Sequence, residues 1–405
     1  MINSQANVPN ELEKGKRLGY LEGIRGVAAF MVVIHHYLLA FYPTQASGEI
    51  KNAHFAPLEL WYYHSPFIFL TNGQFFVYIF FALSGYVLSK KYFLEKEIAY
   101  LNSAFIRRLP RLYIPMAFSL VIAFLLMKLT LDFNIEASTI TKSIWFAALK
   151  GDHSVFKFIE SLLIKTMFFK DNSYNTVLWT ISAEFYGSLL LFSALALTGK
   201  IRNSFWVFIT ILILLLISEN FEYAAFILGY MLNYNYVIKF KQPVYRKFFV
   251  VFIIILGLFL GGFPHIYYKD TPTIVGTFYQ FLNYNFIIKR GAFINETGAF
   301  LIILAVLQSD KLQVFFSNRI FDFLGAVSFS MYLIHVLVLQ SFSSFLFLKL
   351  QASFGYNISF LFVFFPSVAL ILLLSYVMTI YVDKKSLNIA HFVYKNYFSY
   401  QKRDS

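Results

Sequence analysis

The feature that most restricts how this chain can fold is the recurrence of apolar runs long enough to cross a lipid bilayer. A helical span needs about 20 mostly apolar residues at a rise of about 1.5 Å each. Runs of this kind lie near 24–42, 74–90, 112–130, 177–198, 204–219, 222–238, 247–264, 297–309, 321–341 and 358–382, and 272–290 reads as a re-entrant segment or a further span. Only 14% of the 405 residues are charged and 59% are hydrophobic, against about 25% charged in soluble domains. A soluble globule of this size cannot hide so much apolar surface. The expected fold class is therefore an all-α integral membrane protein of about ten transmembrane helices, with no appended soluble domain. The 28 tyrosines suit the lipid–water boundary, where ring and hydroxyl each find a matching medium.

A formal charge of +13 invites a nucleic-acid partner, but the positive residues sit in short clusters between apolar runs. That is the pattern that orients spans in a bilayer. Lys and Arg gather before residue 20, in 89–111, at Lys200 and Arg202, in 239–247, at Lys311 and Arg319, and after 383. The alternate connections carry Lys51 alone in 43–73, then Lys269, Lys289 and Arg290, then Lys349. The long connection 131–176 has five lysines mixed with acids, and long connections count for little in this rule. Both termini are thus expected in the cytoplasm, with a tail at 1–20, a membrane domain over 21–383 and a second tail at 384–405. The 131–176 segment is expected to form a partial lid on the outer face. Lys14, Lys16 and Arg17 before an apolar run superficially suggest a secretion signal. No A-x-A-like cleavage site follows, however, and the run contains Arg25, His35 and His36, so it reads as a first membrane helix. The absence of cysteine excludes thiolate nucleophiles, Cys-ligated metals and disulfides.

Ionisable residues inside spans are costly and usually functional. Arg25 and His36 are eleven residues apart, almost three helical turns, so they share a face about 16 Å apart, with Glu22 one turn before Arg25. Arg25 suits a phosphate or carboxylate and His36 suits proton transfer. Read alone, Arg25 fits a topology anchor and His36 a packing residue equally well, and His35, on another face, reads as structural. Arg107, Arg108 and Arg111 at a helix entrance, with Pro110 and Pro115 fixing the backbone, make a candidate phosphate grip or ordinary topology charge. Trp179-Thr180-Ile181-Ser182-Ala183-Glu184 puts a lone carboxylate early in a span, where it is expected either to orient an imidazole, His36, or to pair with an arginine. Ser328, Tyr332 and His335 share one helix face, expected to look inward at a helix or a cavity.

Five segments in this order carry a resemblance: Glu22-Gly23-Ile24-Arg25-Gly26 with His36, Phe80 to Tyr86, Arg107-Arg108 with Arg111 and Pro115, Trp179 to Tyr186, and Ser328 to His335. Together, over about residues 17–382, they resemble the membrane acyltransferase-3 family. The resemblance implies a ten-helix enzyme that moves an acetyl group from cytoplasmic acetyl-CoA to a hydroxyl of a cell-envelope carbohydrate. It makes Arg25 and His36 the central pair, and selects His36 over His35 by spacing. It assigns Arg25, Arg107, Arg108 and Arg111 to the donor, and Glu22, Trp179, Ser182, Tyr332 and His335 to support or substrate contact. No metal is expected. The expected partners are a saccharide acceptor (O-antigen, exopolysaccharide or similar), the lipid bilayer and polysaccharide-biosynthesis proteins, and the expected location is a bacterial inner membrane. Departures are Glu22 where the family usually has Asp, and Ala82 and Tyr86 in the second span. Some members carry a C-terminal hydrolase-like domain; without one, this chain is expected to act alone or with a separate partner. The rival readings are a flippase or transporter of a lipid-linked saccharide, which usually shows internal repeats or interrupted helices, and a non-catalytic receptor.

Overall fold

A computed structural model describes residues 19–95, 97–199, 201, 204–234, 242–264, 274, 276–282 and 291–398. The expected tail at 1–20 lies outside these residues except for its last two, and the 272–290 segment lies largely outside them. Every described regular element is helical. The main helices are α1 (Gly19–Phe41), α2 (Gly73–Glu95), α3 (Ile98–Lys128), α4 (Trp179–Thr198), α5 (Ser204–Ile217), α6 (Phe221–Met231), α7 (Pro243–Gly261), α8 (Gly291–Leu307), α9 (Asp310–Phe316), α10 (Arg319–Val338), α11 (Tyr356–Met378) and α12 (Lys384–Val393).

Each of the ten expected runs overlaps a helix, the end of 222–238 lying outside the described residues. By length and apolarity, however, six helices among the described residues can cross a membrane, or seven if α8 and α9, bent by 101° at their junction, form one span. The α5 helix is apolar but only 14 residues long, and α6 has 11. Two helical paths run past their expected ends. α10 continues through a π-helical turn to Phe354, and α11 continues through a π-helical turn into α12, so residues 384–398 of the expected tail are helical and α12 packs on α3. The helix of the arginine-rich segment starts earlier than expected: α3 begins at Ile98 and runs through Pro110 and Pro115, so Arg107, Arg108 and Arg111 stand on its third and fourth turns.

The centre of the bundle is α1 against α10, running parallel. The motif glycines make this pairing possible. A Cβ at Gly26 would collide with the backbone of Leu324 and Gly325, one at Gly23 with Phe316, and one at Gly325 with the backbone of Glu22. Close backbone approach of this kind is how membrane helices gain dispersion contacts where no hydrophobic drive separates helix from lipid. Gly85 of the Ser84-Gly85 pair does the same for α2 and α6, abutting Phe226, while Gly229 abuts Ala82. The inner helices α1 and α10 are 61% and 67% buried over their apolar windows, against 22% for α7. The outer helices turn Phe118, Leu125, Phe252, Phe362 and Phe365 outward, as a lipid-facing rim requires.

The end of the bundle where α1 starts is here the near end. At the far end, where α1 and α3 finish, segments 43–72 and 129–178 fold over the helices as short helices and turns. They are tied together and down: Lys142 Nζ donates to the Lys51 carbonyl (3.0 Å), Ser143 Oγ to the Leu39 carbonyl (2.7 Å) and the Phe133 amide to the Gln340 carbonyl (2.8 Å). The His54 ring lies flat on Tyr356 at 3.6 Å.

Candidate active site

On α1 the expected face is realised. One Arg25 guanidinium nitrogen donates to both Glu22 carboxylate oxygens at 3.0 and 2.9 Å, leaving Arg25 and Glu22 partly accessible at the near end. His36 stands eleven residues on, close to the far end. The same stripe between them is closed by Ala29 and Val33, both fully buried. The two residues therefore serve opposite ends of one helix.

The partner of His36 is His335. Their Nδ1 and Nε2 atoms are 2.9 Å apart, and the other nitrogen of His335, Nδ1, is 3.1 Å from the Met331 carbonyl oxygen. A carbonyl can only accept, so His335 Nδ1 carries a proton. In neutral His335 the Nε2 atom is then a lone pair, and His36 must donate from Nδ1. By elimination the lone pair of His36 is on Nε2, directed away from His335. This assignment follows from the partners of each nitrogen. Two other rings surround the His36 imidazole: Trp145 is stacked on it (centroids 5.1 Å, 24°), and His35 meets it edge-on at 5.0 Å. His35 is buried and its Nδ1 meets the Thr71 carbonyl, so it braces the start of α2 against α1. The turn of α10 that carries His335 is pinned in turn: Ser119 Oγ and Asn175 Nδ2 both donate to the Leu333 carbonyl, at 3.0 and 2.9 Å.

The orienting role expected of Glu184 is corrected here. Its carboxylate takes the guanidinium of Arg108, with 16% and 7% of the two side chains accessible, and Arg108 Nε also donates to Ser188 Oγ at 3.0 Å. The cause is register: α3 and α4 pack with Arg108 and Glu184 at one level, and a carboxylate in an apolar bundle takes the cation it can reach. Arg108 is thereby withdrawn from the expected phosphate grip. Arg107 donates from Nε to the Ser103 carbonyl (3.1 Å) and from Nη1 to the His391 ring of α12 (3.0 Å). Arg111 differs. Its side chain is exposed, it forms no ion pair among the described residues, and the charges acting on it are those of Arg108, Asp383, Arg25 and Glu22. Arg111 thus joins Arg25 in a near-end basic cluster.

Of the remaining sequence candidates, Trp179 meets Phe81 edge-on at 6.4 Å, Ser182 is fully buried with no partner for its hydroxyl among the described residues, and Tyr332 packs between Phe80 (5.9 Å) and His335 (5.8 Å). Ser328, Tyr332 and His335 do share a buried face, and it is His335 that reaches His36. Sequence reasoning missed two residues. Trp145 carries a signal in hindsight, as the one tryptophan of the long connection. Asp383, with a buried Oδ1 that has no partner among the described residues, faces the Arg111 charge; its signal is an acid at the very end of the last apolar run. Among the described residues no group of three or more His, Cys, Asp or Glu side chains stands close enough to hold a metal ion.

The sequence model described as an acyltransferase domain matches residues 18–379. The chain is similar to the O-acetyltransferase PaAT-1 of Phomopsis amygdali, at 22% identity over 376 residues covering 78% of this chain and 71% of that protein. No solved structure matches the chain.

Proposed function

The chain belongs to the acyltransferase 3 family, an O-acyltransferase of the membrane, and from that premise we propose that it moves an acetyl group from acetyl-CoA to a hydroxyl of a cell-envelope or exported saccharide. The acetyl group is suggested by the name of the fungal relative. The observation that carries the reading is the His36–His335 pair, which leaves one imidazole lone pair, on His36 Nε2, for chemistry in the bundle interior.

The basic cluster at the near end suits an anionic donor. Arg111, exposed and without an ion pair, and Arg25, held in place by Glu22, are the residues for the CoA phosphates, with Arg107 beside them. Arg108 supports the site from within the bundle rather than touching the donor. The long, thin pantetheine arm then has to carry the thioester about 16 Å along α1 to reach His36, which requires the packing at Ala29 and Val33, closed in this structure, to part.

At His36 the acceptor hydroxyl gives its proton to Nε2 as its oxygen bonds to the acyl carbon. The C–S bond breaks, and the proton passes on to the CoA thiolate, so ester and thiol are formed and the imidazole is restored. A sugar hydroxyl is far too weak an acid to react unaided, and one well-placed base contributes about 10²–10⁴-fold in rate. The Nδ1–H to His335 bond fixes the ring so that Nε2 presents its lone pair before the proton transfer and regains it when the proton passes to the thiolate. The setting we propose is a bacterial inner membrane, with both termini cytoplasmic, the near end inside, and the acceptor supplied by saccharide-synthesis partners.

The test is transfer of label from radiolabelled acetyl-CoA to an envelope saccharide extract by the purified protein, wild type against His36→Ala. Label in saccharide with wild type alone supports the reading. Absence of both label transfer and CoA release in the folded wild type overturns it, and leaves a saccharide transporter to be tested.

A further inference from the structure

Trp145 has no role in the reaction described so far, yet its environment is unusually determined. It lies in a single helical turn, Ile144–Ala147, within the far-end segment 129–178. That turn is anchored on both sides. Ser143 Oγ donates to the Leu39 carbonyl of α1 at 2.7 Å, Asn134 Nδ2 donates to the carbonyls of Phe146 and Leu149 at 2.9 Å each, and Phe146 is fully buried against Phe41. The result is an indole held nearly parallel to the His36 imidazole. His335 holds the ring edge through Nδ1 and His35 stands at another side, so Trp145 is the only one of the three that comes from outside the helix bundle.

An acyl group next to an activated base faces a competitor that needs no recognition, namely water. If water is deprotonated by His36 Nε2, its oxygen bonds to the acyl carbon, the C–S bond breaks and the thiolate takes the proton. Carboxylic acid and CoA leave, and no ester is made. Enzymes suppress this side reaction by covering the reacting centre. Building on the acyl-transfer reading above, we propose that Trp145 is a positioning residue that fixes the plane of the His36 ring and closes its outer face to water, so that it sets how the acyl group divides between acceptor hydroxyl and hydrolysis.

The chain has no cysteine, so released CoA can be read with a thiol reagent free of background. The experiment measures, for the purified full chain, CoA release from acetyl-CoA without acceptor and label transfer to an envelope saccharide extract. Trp145→Ala is expected to raise the ratio of CoA release to ester formed by about tenfold, while Trp145→Phe, which keeps a flat ring over His36, stays near wild type. If Trp145→Ala fails to accumulate, Ser143→Ala, which unties the turn from Leu39 without touching His36, has to raise the same ratio. An unchanged ratio in folded Trp145→Ala, or equal ratios in the Ala and Phe variants, overturns the proposal. Wild-type protein that releases no CoA and makes no ester removes the acyl-transfer reading itself, a result separable from the first because it needs no variant.

Discussion

Replacing Glu184 by glutamine tests the most consequential departure from expectation. In the structure this carboxylate neutralises Arg108, whose side chain is only 7% accessible. Removing one partner of a buried pair strands the other charge, a loss of about 3–5 kcal/mol. Glutamine keeps an acceptor oxygen, and Arg108 keeps its bond to Ser188, so Glu184→Gln falls at about 3 kcal/mol, the low end of that range. Arg108→Met, which strands the carboxylate, reaches the upper end. The double variant buries no charge at the site and recovers about 2–3 kcal/mol of the summed loss. The assay is reversible unfolding in mixed micelles for the four proteins of the cycle, with CoA release measured in parallel. An orienting partner of His36 behaves differently: Glu184→Gln then leaves stability within about 0.5 kcal/mol of wild type, abolishes turnover, and shows no coupling to Arg108. That pattern refutes the assignment.

Other outcomes follow from the same geometry. Gly26→Ala puts a Cβ into the backbone of Leu324 and Gly325 and should cost about 1–3 kcal/mol in stability, together with lost CoA release as α1 is pushed off α10; unchanged melting contradicts the packing. Arg111→Ala should raise KM for acetyl-CoA about tenfold, the worth of one charge-assisted contact, with melting unchanged; an effect on kcat alone argues against donor binding. Glu296 is 1% exposed and neither carboxyl oxygen has a partner among the described residues, so Glu296→Met should stabilise by about 1–3 kcal/mol, and destabilisation in the same unfolding assay would expose a partner. Burial holds the His54 imidazole below its ordinary value of 6.5. Its folded form therefore resists protonation, so the contribution of the Tyr356 stack is fully present above that value and is lost as pH falls through the lowered one. Limited proteolysis of segment 43–72 should accelerate on acidification, and His54→Gln should flatten that response.

How much of this was legible in the sequence depends on the range of the interaction. Helical runs, their apolar faces and the shared face of Glu22, Arg25 and His36 follow from a 3.6-residue period acting within one helix, and the structure keeps all of them. The order of five segments was likewise enough for the family, because it is a property of the chain itself. Crossing number was less secure: α5 and α6 are apolar but short, and hydropathy alone does not say whether such a helix spans.

What only the tertiary structure decided is which residue faces which across helices. Glu184 was the neighbour expected for His36, whereas His335 was read only as part of an inward-looking polar face, yet it is His335 that meets His36. The choice rests on the relative register of α1, α3, α4 and α10, set by the collision of glycine faces at Gly23, Gly26 and Gly325 and by the level of Arg108 against Glu184. Trp145 reaches His36 from a segment 109 positions further along the chain, where no local period links them. Periodicity fixes directions around one axis, while the distance between axes and the slide of one helix past another come from packing, which only the folded bundle contains.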